Sequence, residues 1–185
     1  GNDSGKYSAV DTFTIGEEAV RYITAGTVIN MRDEGGYITD SGRKVKYGLV
    51  YRGASLDELT SYIDDAAYHV FHYLGMKSEI ELRGSYTHTK TGWDTNSNVN
   101  YINGVYYSEI FSIDDQVKAQ YKATFEAMAD RNNYPFYFHC SAGADRTGTF
   151  AYLLNGLLGV SLEELREDYE LTSFSKIGRR TADSW

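Results

Sequence analysis

With 185 residues, 42% of them hydrophobic and 24% charged, the chain has a globular rather than a disordered composition, and it is long enough to bury a core. The formal net charge of −8 argues against nucleic acid or an anionic membrane surface as the main partner, and no apolar run approaches the ~18 residues of a membrane span. A locally positive pocket for an anionic substrate is compatible with that balance, and a single cysteine excludes an internal disulfide while leaving the redox compartment open.

In chain order, residues 1–25 read as a polar lead-in to a single domain over 26–185, with TFTI (12–15) as an edge strand. Gly1 in place of Met and the polar opening NDSGKYS suggest a trimmed N-terminus from which any targeting peptide has gone. Export is compatible with this, and the localisation is not fixed. GTVIN (26–30) reads as a strand, and GYIT, the turn DSGR and KVKYGLVYRG (44–53) as a hairpin feeding a second strand. Ile63, Ala67, Val70 and Leu74 have helical spacing over 61–74, with Gly75 as the stop. KSEIELRG (77–84) reads as a strand, 84–98 as a surface loop, and VNYINGVYYSEI (99–110) as a strand bulged at Gly104. Ile113, Val117, Tyr121, Phe125 and Met128 mark an amphipathic helix over 113–130. PFYFH (135–139) is a short buried strand and RTGTFAYLLNGLLGV (146–160) a helix apolar nearly all round, expected to be central and buried. SLEE (161–164) is a capping box opening a last helix. No internal repeat is visible. Strands alternating with helices predict an α/β fold with a central, mostly parallel sheet flanked by helices, whose ligands bind at the carboxyl ends of the strands.

The only cysteine lies at such an end, in FYFHCSAGADRTGTF (136–150). A six-residue loop from Cys140 to Asp145, running into a helix N-terminus, aims backbone N–H groups at one point under a positive dipole end. Ser141, Ala142, Gly143, Ala144, Asp145 and Arg146 would then cradle a phosphate, with Gly143 permitting the turn and Arg146 forking two phosphoryl oxygens. The same field is expected to favour the Cys140 thiolate, a nucleophile aimed at the bound phosphorus. Thr147 is expected to donate to the sulfur and His139 to brace the loop from beneath. A buried free cysteine ordinarily acts as a small hydrophobe. Against that stands the coincidence of His139, Cys140, Gly143, Arg146 and Thr147, which chance would produce on the order of once in ten thousand such chains. The functional reading prevails.

HCSAGADRTG resembles the H-C-x5-R-[ST] signature of cysteine-dependent protein tyrosine phosphatases. Its D-R-T-G ending is similar to a bacterial subfamily that includes the secreted mycobacterial tyrosine/phosphoinositide phosphatase. NMRDEGG (30–36), GLVYRGASLDELT (48–60), ELR (81–83) and Asp168–Leu171 resemble further segments of that subfamily, so the likeness runs from about residue 26 to 174. It implies a single-domain cysteine-phosphatase fold and metal-independent hydrolysis of phosphomonoesters, with no cofactor. Three departures stand out. Ala144 replaces a lysine that the subfamily often carries and that is associated with phosphoinositide recognition. Glu81 replaces an aspartate, and the chain ends sooner than larger members, so a helical lid found in some of them is expected to be absent or reduced.

The implied reaction needs a general acid. Asp145 is the first choice because the subfamily places an aspartate beside the loop arginine. Asp114, in SEIFSIDD (108–115) with Glu109 and Asp115, is the alternative, although Asp114 and Asp115 read equally well as acids complementing a helix dipole. Arg32 and Asp33 are expected to line or brace the site on the motif match, and Arg52 and Arg83 to add positive potential or to pair structurally. His69 and His72 lie three apart on a helix, but no third ligand accompanies them, so no metal is expected. The favoured substrate is a phosphorylated protein or a small phosphomonoester. A phosphoinositide or inositol phosphate is the nearest rival, a rhodanese-like sulfur transfer or a non-catalytic phosphate-binding module less favoured, and the oligomeric state is not readable.

Overall fold

A computed structural model describes residues 22–58, 61–83, 100–103 and 115–181. The sheet has five strands in the order β1-β2-β7-β5-β6, namely β1 (Arg32–Asp33), β2 (Val50–Gly53), β5 (Ser78–Glu81), β6 (Asn100–Asn103) and β7 (Phe136–His139). A separate two-stranded ribbon is formed by β3 (Asp57–Glu58) and β4 (Ser61–Tyr62). All pairings from β2 to β6 are parallel, and only β1 runs antiparallel, to β2. The sheet is mostly parallel, as expected.

The central strand β7 is buried at all four positions, as a parallel strand covered on both faces must be. Alternation along it sorts the core. Tyr137 belongs to the cluster with Ala67 and Phe71 of α1 (Asp65–Tyr73). Phe136, Phe138 and Cys140 belong to the cluster that takes Met128 from α2 (Asp115–Ala129) and Phe150 and Ala151 from α3 (Asp145–Leu157). Phe150 stacks on Phe125 at 5.4 Å and meets Phe138 edge-on at 5.1 Å. The sulfur therefore continues the apolar face of β7 to its carboxyl end. There the register sets His139 level with Gly53 of β2 and Glu81 of β5, so three strand ends open at one height.

Several boundaries differ from the sequence expectation. GTVIN is a turn: Val28 N donates to Ala25 O, and the left-handed backbones of Gly26 (φ 51°) and Asn30 (φ 58°) break any extended run. The first helix starts at Asp65 because the Asp64 carboxylate accepts from Ala67 N and caps it, while Ser61 and Tyr62 pair with β3. Gly75, with φ 67°, stops it as expected. Helix α3 buries Thr147, Gly148, Phe150, Ala151 and Asn155 but leaves Leu157 73% exposed, so its last turn is not core. The Ser161–Glu164 capping box is formed and opens α4 (Leu162–Glu170). No described helix is long and apolar enough to cross a membrane. The edge strand at 12–15, the loop at 84–98 and residues 104–114 lie outside the described residues.

Candidate active site

The loop from Cys140 to Ala144 joins β7 to the N-terminus of α3, above the carboxyl edge of the sheet. Cys140 is a free cysteine, 2% exposed. Gly143 has φ 68°, and a Cβ there would lie 2.4 Å from the Gly53 carbonyl, so the loop sits directly on the end of β2. Only glycine meets both demands. Among the described residues, no backbone N–H from Ser141 to Asp145 finds a hydrogen-bond acceptor. Buried main-chain donors in proteins are nearly always paired. Five consecutive donors with no acceptor among the described residues lie at a helix N-terminus, the geometry in which main-chain amides can hold an anion. Arg146 leans back over this loop, its Nη2 donating to Ser141 Oγ at 3.2 Å.

Below the loop lies a dense polar floor. Arg32 donates through Nε to Asp168 Oδ1 (3.1 Å) and through Nη2 to Asp168 O (2.9 Å). Arg52 donates through Nη1 to Asp168 Oδ2 (2.5 Å), and its Nε lies 3.5 Å from Glu34 Oε1. Asn155 Nδ2 donates to the other Glu34 oxygen at 2.7 Å. Two guanidiniums thus face two carboxylates in a place from which water is excluded, and only such pairing makes buried charge tolerable. Burial, with the charge of Asp168, pushes the Glu34 carboxyl up to about 7 against the pull of both arginines. Burial also opposes the charge of Asp168, but Arg32 and Arg52 outweigh it and hold that carboxyl below its ordinary value. Tyr37 adds a hydroxyl donor to Asp168 Oδ1 at 3.0 Å.

A second buried cluster supports the strand end. His139 Nε2 lies 2.8 Å from Glu79 Oε1, and its Nδ1 lies 3.3 Å from Cys140 O. Burial opposes protonation of this imidazole, but the Glu79 hydrogen bond and the charges of Glu81 and Glu79 prevail and raise its pKa to about 9. Glu81 is in turn gripped by Arg83, which also pairs with Asp57. Arg83 is accordingly a structural cation.

The rim is different. Asp145, the first residue of α3, has a side chain 53% exposed, and its Oδ1 accepts from Tyr169 Oη and Arg180 Nε, both at 3.1 Å. Arg180 is placed by its own backbone, whose N–H and C=O both bond to Ser173 Oγ.

The structure thus assembles Cys140, the loop, Arg146 and Asp145 in one segment and sets His139 beneath it. Arg32 lies in the floor at 1% exposure, bonded to Asp168 and Asn30. Asp33 stands apart from the loop. Its carboxylate accepts from Gly35 N and Gly48 N, both at 2.7 Å, tying the turns that lead into β2 at the opposite end of the strand from the loop. Thr147 Oγ1 is buried with no hydrogen-bond partner among the described residues, so the expected bond to sulfur is not made. Of the alternative acids, Asp114 and Glu109 lie outside the described residues. Asp115 opens α2, fully exposed, beside Lys118. His69 and His72 are exposed on α1, where the Tyr68 ring stacks on His72. The sequence reading missed Asn30, Ser55, Asp168, Tyr169 and Arg180 as parts of the site. Asn30 and Asp168 lay inside the quoted NMRDEGG and DYEL segments, and that was the available signal.

The carboxyl edge of the sheet thus carries a buried sulfur, a loop whose N–H groups meet no acceptor among the described residues, and an arginine bonded to that loop. The chain belongs to the tyrosine phosphatase family, whose model matches residues 23–183. A tyrosine-protein phosphatase of Nostoc commune is 39% identical over 54 residues, 29% of this chain and 18% of that protein. OCA1 of Meyerozyma guilliermondii is 34% identical over 82 residues, 44% of each. The chain therefore spans less than half the length of these relatives. Among solved structures, P. aeruginosa TpbA is similar with a TM-score of 0.49 and 16% identity, covering 89% of this chain and 83% of that one. The core catalytic domain of the PP-IP phosphatase SIW14 from S. cerevisiae gives 0.48 and 15%, covering 76% of each.

Proposed function

We propose that this chain is a hydrolase of phosphomonoesters, foremost of phosphotyrosine in protein substrates, acting through a phosphocysteine at Cys140. Membership of the tyrosine phosphatase family and the Nostoc relative's name support the substrate class. The observation that carries the reading is the run of N–H groups from Ser141 to Asp145, without an acceptor among the described residues, between a buried thiol and Arg146. In the first step the Cys140 thiolate attacks phosphorus in line. An S–P bond forms, the P–O bond to the leaving group breaks, and Asp145 delivers a proton to the departing oxygen. In the second, water attacks phosphorus, its proton passes to the Asp145 carboxylate, and the S–P bond breaks to release phosphate. Loop amides and Arg146 stabilise the charge on the equatorial oxygens throughout, and no step calls for a metal.

Asp145 is favoured as the acid by its place beside Arg146 and by its exposure toward an entering substrate. Ala144 is fully buried and brings no cation to the loop, which favours a single phosphoryl group over a polyphosphorylated inositol. The five ordered motif segments support placement with the bacterial subfamily that includes the secreted mycobacterial enzyme. The test is turnover of p-nitrophenyl phosphate with and without chelator, beside Cys140→Ser. Chelator-resistant activity that disappears in the variant is expected. Activity that survives the substitution, or that chelation abolishes, contradicts the reading.

A further inference from the structure

A peptide unit is planar and trans, so its C=O and the N–H of the next residue point to opposite sides. Holding a carbonyl below a loop therefore turns the following N–H above it. In the loop after β7 this happens residue by residue. Cys140 O faces His139 Nδ1, and Ser141 O accepts from Ser55 N at 3.0 Å and Ser55 Oγ at 3.2 Å. Ala142 O accepts from Asn30 Nδ2 at 3.4 Å, and Gly143 O from Asn30 Nδ2 at 2.8 Å and Arg52 Nη2 at 3.2 Å. Ala144 O accepts from Arg52 Nη2 at 3.5 Å as well as from Gly148 N. His139 and Ser55 each hold one carbonyl. Asn30 and Arg52 between them hold three, at the centre of the nest.

Both side chains are themselves fixed. Asn30 has a left-handed backbone, a conformation that asparagine tolerates better than most residues. Its Oδ1 accepts from Arg32 Nη1 at 2.8 Å, so the amide nitrogen must face the loop. Arg52 is wholly buried, its other nitrogens directed at Asp168 and Glu34. We propose that Asn30 and Arg52 are positioning residues for the anion nest: they hold the carbonyls of residues 142–144 downward and so set the N–H groups of Gly143, Ala144 and Asp145 for a phosphate dianion before it arrives. The inference rests on the phosphatase reading above. Its energetic content is preorganisation, because a peptide free to turn its carbonyl into the pocket opposes the anion it should bind.

Asn30→Gly tests this directly. Glycine keeps the left-handed backbone without strain and removes the side-chain amide, both the Nδ2 donor to the loop and the Oδ1 acceptor of Arg32 Nη1. The readout is inhibition of p-nitrophenyl phosphate hydrolysis by inorganic phosphate, together with kcat and KM. The inhibition constant for phosphate is expected to rise about tenfold, with kcat/KM falling at least as far, as the loss of hydrogen bonds to two carbonyls implies. Arg52→Lys, which cannot fork between the carbonyls and Asp168, is expected to act in the same direction and serves if the first variant fails to fold. Val70→Ala, in the α1 layer of the core, supplies a destabilised control expected to leave the phosphate constant unchanged. A folded Asn30→Gly or Arg52→Lys with the parent's phosphate constant overturns the inference and leaves the phosphatase reading standing. A parent protein that neither turns over substrate nor binds phosphate overturns both.

Discussion

The floor and the rim of the site are built by opposite rules. On the floor, Arg32, Arg52, Glu34, Asn155 and Asp168 are all at most 4% exposed and bond mainly to one another, across segments as far apart as β1 and α4. On the rim, Asp145 and Arg180 are 53% and 28% exposed, and a single contact joins them. Buried charge survives only when paired, as both guanidiniums are with Asp168, so the floor is fixed by the same interactions that fold the chain. An exposed pair contributes little to stability, so the rim can exchange partners at small cost. In the proposed reaction, the groups that would be preset for the anion lie below the loop, and the group that would exchange a proton with substrate and water lies above it.

Substitutions can break that contrast. The largest effect is expected at the base of the nest: Cys140→Ser should reduce turnover to background while the fold persists, checked by p-nitrophenyl phosphate assay and circular dichroism. Next comes Asp145→Asn, expected to lower kcat by about 10²–10⁴-fold, the range for a general acid, with thermal stability nearly unchanged. Full turnover in Asp145→Asn together with loss in Asp114→Asn would move the acid to the other segment. The floor should show the reverse pattern. Asp168→Ala strips two buried guanidiniums of their carboxylate and should cost about 3–5 kcal/mol in denaturant unfolding, with activity falling because Arg52 loses its anchor.

A pH prediction sharpens the same comparison. The His139 pKa is raised from 6.5 to about 9 on folding. Protonation is therefore bound more tightly by the folded state. Its stabilisation is complete below about pH 6.5 and fades as pH rises through about 9. The melting temperature should drop across that window, and His139→Gln should flatten the drop. The smallest effect belongs to the rim: Arg180→Gln should change stability by under about 1 kcal/mol, measured by the same unfolding curves.

Much of this was legible in the sequence, for physical reasons that differ by element. Helical spacing with Gly75 as a stop, the Ser161–Glu164 box and the buried run FYFH are local signals, and each element formed at its signal, though the first helix begins only at Asp65. The loop and its arginine were legible as one unit because Cys140 to Arg146 are contiguous between β7 and α3. The floor was not, because Arg32 and Asp168 are 136 residues apart and only folding brings them together. Thr27-Val28-Ile29 has strand composition, yet left-handed backbone at Gly26 and Asn30 overrides it. Asn30 needs that conformation to reach the loop carbonyls, so a local exception marks a tertiary demand. Leu157 and Leu158 are apolar but lie past the point where α3 leaves the core, which composition does not report.

The central claim is that the Cys140 sulfur takes the phosphoryl group. Rapid acid quenching during turnover of p-nitrophenyl phosphate, followed by peptide mass analysis, tests it most directly. A phosphoryl adduct on the peptide bearing Cys140, absent from Cys140→Ser, is the predicted result. Steady turnover with no adduct at Cys140, or with the adduct on another residue, would contradict it.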